Sequence, residues 1–479
     1  MVRTSQSEGC IDTCLAFGAS PSAGVYGHVA DAAAEIFRHH GIGPLDKWVD
    51  DHIFFRVKRE HIMDYNKARS GWHQQILTGG PQRNGGRIWF EGHATADGNT
   101  EEFNEDCSAP IQDLSHISPR CKHNATFSYS LTDIDRLSEI LGIPWETSKD
   151  QPFGPTTTYI GFVWDLKERT VKLSQEKADK YLRAIEEWQS CPTHRLDEVQ
   201  KLYGKLLHTA SLIPAGRAYL TGLERMLAVC SKKPFMPHRP DKAISDDLTW
   251  WHRAIKNGMA IRSIFPPPPR ADHQAFSDAS SSIGIGIVIG KRWRAWCLVP
   301  GWQTLNGKRD IAWAEAIGFE FLLLALASGV NSPQHITIYG DNTSVIESWR
   351  VGRHRNKLIN EVFRRIHAFL ADRSSNVISV HAMFVPSGHN PADGPSRGIY
   401  PPAELLLPPV AVPQHLQRFL VDCTSPLTSA ELRALQEGRY TNPATKLIDR
   451  IKRKQEVDQR LLSDQRRDDL AIRESLTRD

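Results

Sequence analysis

The clearest hydrophobic patterning lies in the second half of the chain. Ala275–Ser280, Ile285–Ile289 and Trp293–Val299 are short apolar runs separated by Ser, Gly and Lys, the pattern of three strands in a hairpin sheet. Asp310–Leu326 carries apolar residues at helical spacing. His335–Tyr339 predicts a short strand, Leu358–Leu370 a second helix and Val377–Val385 a final strand. The predicted order is therefore three strands, helix, strand, helices, strand. Trp293 and Trp296 are three apart on one strand and so face opposite sides, with one of them expected in the core.

The first half is patterned differently. Ala23–His39 predicts a helix, and Lys47–Phe55 a strand hairpin with Asp50 and Asp51 at its bend. Thr132 and Asp135 read as the cap of a helix that ends near Gly142. Tyr159–Trp164 reads as a strand, and Ser174 opens a helix to about Trp188. Between these segments Gly79-Gly80-Pro81, Gly85-Gly86 and the polar stretch Ala94–Asp106 predict a loop-rich insertion. Pro266–Pro269 must be extended chain that continues neither a helix nor a central strand, so it marks a domain boundary, and the region after Pro269 is expected to fold alone. Near the other end, Thr428 and Glu431 form a capping box for a helix stopping at Gly438. Beyond Thr441 a charged helix with few apolar positions, Leu447, Ile451, Val457 and Leu461, reads as solvated.

Length and composition narrow the class. The 479 residues suggest about three domains of roughly 150 residues, and 40% hydrophobic with 24% charged residues at a mean hydropathy of −0.41 is enough to bury an ordinary core. The longest apolar stretch, Phe321–Val330, is shorter than the roughly 20 residues that cross a bilayer, and no secretory leader pattern opens the chain. A membrane-spanning or classically secreted protein is disfavoured, which points to an intracellular one, cytoplasmic or nuclear. The net charge of +4 permits a nucleic-acid partner without indicating one, so any basic surface must be local. Eight cysteines without a C-x-x-C pair favour neither a disulfide framework nor a zinc knuckle.

The candidate chemistry is carried by carboxylates. Asp50 and Asp51 interrupt an apolar stretch, and two adjacent like charges are costly unless a divalent cation neutralises them; hard oxygen ligands suit Mg²⁺ or Mn²⁺. An acidic surface turn is the plainer alternative. Around this pair, Phe17-Gly18-Ala19-Ser20-Pro21 precedes the helix and Tyr159-Ile160-Gly161-Phe162 precedes the next one. This order resembles the palm of a reverse transcriptase, where an F-G-x-S-P segment lines the template and incoming nucleotide, W-V-D-D stands in place of Y-x-D-D, and Y-I-G-F is the primer-grip strand. Leu202–Leu206 and Ile213–Ala218 are similar to the thumb and connection of retrotransposon polymerases, particularly those of tyrosine-recombinase and LTR-type retroelements. The resemblance implies nucleic-acid contacts at Phe17, Gly18, Ser20 and Pro21 and catalytic, metal-binding roles for Asp50 and Asp51. It also implies a third aspartate well before Phe17, whereas only Glu8 and Asp12 precede it, in the wrong context. The expectation is an N-terminally truncated palm that does not polymerise by itself.

Farther on, Asp278, Glu315, Asp341 and Asp393 lie 37, 26 and 52 residues apart, each at a predicted strand or helix end. Their order and contexts resemble ribonuclease H. That resemblance implies four carboxylates binding two Mg²⁺ or Mn²⁺ ions roughly 4 Å apart for in-line hydrolysis of the RNA strand of RNA–DNA hybrids. His389 stands near the family's mobile histidine, which is thought to help product release. Glu320, about 140° around the helix from Glu315, is expected to be solvated. Arg350, Arg353, His354, Arg355 and Lys357 form a basic cluster suited to phosphate, with Arg353, Arg355 and Lys357 the expected nucleic-acid contacts.

The expected fold class is α/β. A truncated palm occupies 1–170 with the insertion at about 59–130, a thumb- or connection-like helical region 171–265, and a Pro-rich linker 266–270. A ribonuclease H-like mixed five-stranded sheet flanked by helices occupies 271–400, and a helical tail 401–479. Two other readings stay open: a catalytically silent nucleic-acid-binding remnant, and a transposase-like nuclease, against which the polymerase-like segments and Asp393 argue.

Overall fold

The computed structural model describes residues 2–3, 9–10, 22–430 and 433, apart from 85–86, 95–99, 118–119, 144, 265–269, 305–307, 333, 373–376 and 424–427. Phe17, Gly18, Ser20 and Pro21, the run Pro266–Pro269, most of the helix expected after Thr428 and the tail beyond Thr441 lie outside the described residues. The architecture is α/β and divides into two units, Met1–Lys177 with Ile261–Ile264, and Ala178–Ala260 with Phe265–Asp479.

In the first unit, a short hairpin β1 (Val2–Arg3) and β2 (Gly9–Cys10) precedes α1 (Ser22–His39). Strands β3 (Leu45–Trp48) and β4 (Asp51–Phe54) form the expected hairpin with Val49 and Asp50 as its turn. Ala34 and Phe37 of α1 pack with Leu45, Tyr129, Ile134 and Leu137 in a small core. The segment expected to be loop-rich contains α2 (Ile62–Gln75) and a three-stranded sheet of β5 (Gln82–Asn84), β6 (Arg87–Ala94) and β7 (Thr100–Phe103). Buried Arg69 of α2 ties the chain just after β7 to this helix, its guanidinium donating to both carboxylate oxygens of Glu105 at 2.8 and 2.9 Å and to Ala109 O. That partner is 36 residues away, so the sequence shows only scattered glycines and charges.

Helix α3 (Leu131–Leu141) begins two residues before its expected start. Ser130 and Asp133 form the capping box in place of Thr132 and Asp135, and Gly142 closes the helix in the left-handed conformation. Tyr159–Trp164 is a hairpin rather than one strand. β8 (Thr156–Tyr159) pairs with β9 (Phe162–Asp165) across an Ile160–Gly161 turn in which both residues have positive φ. β10 (Thr170–Leu173) and β11 (Ile261–Ser263) complete a four-stranded sheet in the order β11-β10-β9-β8.

The second unit combines helices α4 (Gln175–Ser190), α5 (Leu196–Ala210), α6 (Thr221–Cys230) and α7 (Lys242–Lys256) with the large sheet. The sheet contains β12 (Arg270–Ala279), β13 (Gly284–Ile289), β14 (Arg292–Leu298), β15 (Gln334–Gly340), β16 (Val377–Phe384) and β17 (Leu420–Cys423). Their spatial order is β16-β15-β12-β13-β14-β17, with β12, β15 and β16 parallel and the other pairs antiparallel. It therefore has six strands, one more than expected. β17 has only four residues and no readable alternation; Arg294 places it, donating to Leu407 O at 2.7 Å and pairing with Asp422 while almost fully buried.

Helix α8 (Ile311–Ala327) is apolar nearly all round and is buried from Trp313 to Leu323, so it is a core helix rather than an amphipathic one. It crosses the sheet closely at Gly318, where a Cβ would lie 3.1 Å from Ile285 Cγ2. Helices α9 (Thr343–Val351) and α10 (Lys357–Ala371) complete that layer. The opposite face is covered by a short helix α11 (Asp393–Ser396) and the extended chain after it. Both faces are thus covered. Trp296 packs on Phe321 and Trp293 stacks on Tyr400, so both tryptophans are buried although they face opposite ways as expected. Glu320 is buried too, contrary to expectation. Arg365 of α10 donates to both its oxygens at 2.7 and 2.6 Å, a partner 45 residues away that supplies the charge compensation burial demands.

Helices α5–α7 meet α10 through polar side chains. Asn360 and Arg364 both donate to Ala218 O, Arg364 lies 2.8 Å from buried Asp247 of α7, and its guanidinium stands 4.2 Å over the Tyr219 ring. A cut at Pro266 would leave these groups unpaired, so the sheet is built to fold with the helices before it.

Candidate metal centre

Three of the expected carboxylates converge. Asp278 is the next-to-last residue of β12, Glu315 lies in the second turn of α8, and Asp341 directly follows β15. One carboxylate oxygen from each lies within 4.8 Å of the others, and Asp278 and Glu315 are 3% and 6% exposed. Parallel pairing of β12 with β15 puts their C-terminal ends side by side, with Ser277 opposite Gly340. Asp310 caps α8 by accepting from Trp313 N at 3.0 Å, which starts the helix where Glu315 turns back toward those strand ends.

The electrostatics of this arrangement are unfavourable without a cation. Burial, with Asp341 and Asp393 adding, pushes the Asp278 carboxyl up to about 6 despite a hydrogen bond from Ser396. Burial, with Asp278 and Asp341 adding, holds Glu315 well above the usual carboxylate range. An all-oxygen donor set with a surplus of negative charge suits a hard cation, so the cluster can hold a metal ion.

Asp393 stands apart from these three. It opens α11, and its Oδ1 accepts from Arg397 Nε at 2.7 Å, an ion pair one helical turn long. Its charge still reaches the site, since it contributes to the rise at Asp278. His389 is exposed in a single 3₁₀ turn, Ser387–His389, and lines a groove of about 560 Å³ with Phe276, Tyr339, Pro386 and Pro391.

In the first unit, Asp50 and Asp51 are exposed at the hairpin tip. Among the described residues no third carboxylate, histidine or cysteine joins them in a cluster. The tip is strained, because Val49 has φ 56°, a left-handed conformation that β-branched residues rarely adopt. Tyr159 OH reaches Asp51 O at 3.5 Å. Asp50 is exposed and has no charged partner at hydrogen-bond distance among the described residues, so Asp50→Asn is expected to move stability by no more than about 0.5 kcal/mol in chemical denaturation.

The basic cluster is partly neutralised. Arg353 pairs with Glu224, Arg350 with Glu347 at 3.1 Å, and Lys357 approaches Glu361 at 4.0 Å. Arg355 is exposed. Reading the sequence misses three donors to the carboxylates: Ser387 to Asp341, Ser396 to Asp278 and Arg397 to Asp393. The partners of the first two are 46 and 118 residues away, beyond any local signal; Arg397, one turn after Asp393, is visible in the helical spacing.

The described residues contain no helix long and apolar enough to cross a membrane. No protein-family model matches the chain, and no curated protein matches it.

Proposed function

We propose that the chain is a retroelement-type reverse transcriptase/ribonuclease H protein whose second unit hydrolyses the RNA strand of RNA–DNA hybrids with Mg²⁺ or Mn²⁺. The observation that carries the reading is the meeting of Asp278, Glu315 and Asp341, from three separate elements, at the adjacent ends of two parallel strands. Three antiparallel strands, a helix, a parallel strand, helices and a further parallel strand give the element order on which the resemblance rests.

Asp278, Glu315 and Asp341 would bind the cation directly, with Asp393 the fourth carboxylate at the rim. Two bound divalent ions would supply an activated water and charge stabilisation at the leaving 3′ oxygen. The chain's own residues contribute position and charge: β12 and β15 fix two ligands, α8 fixes the third, and the packed core around α8 keeps them from relaxing apart. His389, exposed two residues after Ser387, would assist product release, as the resemblance implies. The Asp50–Asp51 hairpin would not support synthesis, since two carboxylates with no third ligand among the described residues hold a cation weakly.

Arg355 is the proposed phosphate contact of the basic cluster, because Arg353 already has a carboxylate partner. Arg355→Gln is expected to weaken hybrid binding equally for different sequences and to reduce the slope of log affinity against log salt by about one; an unchanged slope removes this contact. The whole reading is tested by assaying hybrid cleavage and primer extension side by side with the purified chain. Cleavage in Mg²⁺ without extension is expected. Extension on an RNA template that Asp50→Asn abolishes would overturn the division of roles, and hybrid binding without cleavage would leave a silent binding protein.

A further inference from the structure

We infer that Ser396 and Ser387 are positioning residues that aim the carboxylates of Asp278 and Asp341 at the cation; this rests on the metal-dependent reading above. The segment from Ser387 to Arg397 runs past the site as a strap, and its two hydroxyls each donate to a different cluster member. Ser387 Oγ donates to Asp341 Oδ2 at 2.6 Å, and Ser396 Oγ donates to Asp278 Oδ2. A hydroxyl donating to Oδ2 restrains the plane of the carboxylate, so that each group would be held in a fixed orientation toward a bound cation.

Ser396 also lies 2.9 Å from Asp393 O, but it has one proton, and a carboxylate is the stronger acceptor than a helix carbonyl. Two further features seat the strap where these contacts are made. Asn390 Nδ2 donates to Ser277 O at 2.9 Å, the residue beside Asp278. Gly286 of β13 leaves room for α11: a Cβ there would lie 2.5 Å from Ser396 N and 2.7 Å from Ala392 O, both backbone atoms that cannot turn aside. Ser396 itself is fully buried, so its hydroxyl has no role toward solvent.

The test is Mn²⁺ binding by the full chain, read from the free-ion electron paramagnetic resonance signal and needing no turnover. Ser396→Ala and Ser387→Ala are each expected to weaken the tightest Mn²⁺ site by about tenfold to a hundredfold. Ser387→Thr, which keeps the hydroxyl at an exposed position, should restore wild-type affinity. If Ser396→Ala does not fold, the Ser387 pair decides. Wild-type Mn²⁺ affinity in the alanine variants, with the wild type itself binding, would overturn this inference alone. No binding by the wild type at millimolar Mn²⁺ would overturn both it and the proposed function.

Discussion

Asp278→Asn is expected to lower RNA-strand cleavage by at least about a thousandfold while making the metal-free protein more stable. The loss follows from removing a ligand of the cluster: metal-based charge stabilisation is worth several kcal/mol, and each 1.4 kcal/mol is about tenfold in rate. The gain follows from its raised pKa. Burial pushes the carboxyl up to about 6, so the folded chain binds its proton more tightly than the unfolded chain does. Stability therefore falls as pH rises from about 4 through about 6, and the full penalty, on the order of 3 kcal/mol, is present above that window. Asparagine carries no charge and escapes the penalty. In EDTA at pH 7.5 the variant should unfold at a higher denaturant concentration than wild type, a difference that disappears at pH 4. Adding Mg²⁺ should stabilise wild type and not the variant. A variant that is inactive and also less stable in EDTA would point to lost packing instead of lost metal binding.

The second large effect concerns how the sheet is supported. Arg364→Ala is expected to cost about 3–5 kcal/mol, because it removes the ion-pair partner of buried Asp247, leaving only the weaker influence of Arg225, and takes two donors from Ala218 O. Asp247 Oδ1 lies 2.8 Å from the Arg364 guanidinium, close enough for its positive charge to oppose the cost of burying the carboxylate. Burial already pushes the Asp247 carboxyl up to about 6 with Arg364 opposing the rise, and removing Arg364 raises it further. A carboxyl with a raised folded pKa loses stability as pH increases, so the destabilisation should be larger at pH 8 than at pH 5. Urea unfolding at the two pH values checks this. An equal cost at both would mean that the tyrosine stacking and hydrogen bonds matter and the ion pair does not.

What could be read from the sequence was what local pattern encodes. The strand, helix and strand order of the large sheet follows from apolar periodicity; Asp278 and Asp341 stand at strand ends and Glu315 one turn into a helix, and their meeting was expected from the resemblance of those contexts to ribonuclease H. Elements placed by distant partners were not legible. β17 is four residues held by Arg294 from 128 residues away, and Glu320 is buried because Arg365 meets it from another helix. The cap of α3 moved by two residues because Ser130 and Thr132 both begin a hydroxyl-x-x-Asp pattern, and only tertiary packing chooses between them. Asp50 and Asp51 were correctly placed on a tight hairpin, yet adjacency in sequence brought no third ligand to them among the described residues.

The most direct test of the central claim is cleavage of a 5′-labelled RNA strand in an RNA–DNA hybrid by the purified full chain, with Mg²⁺ and with EDTA. Cleavage that requires Mg²⁺ or Mn²⁺ and leaves the DNA strand intact is the expected result. Cleavage that persists in EDTA, or none by the wild-type chain with either ion, would contradict the metal-dependent nuclease built on Asp278, Glu315 and Asp341.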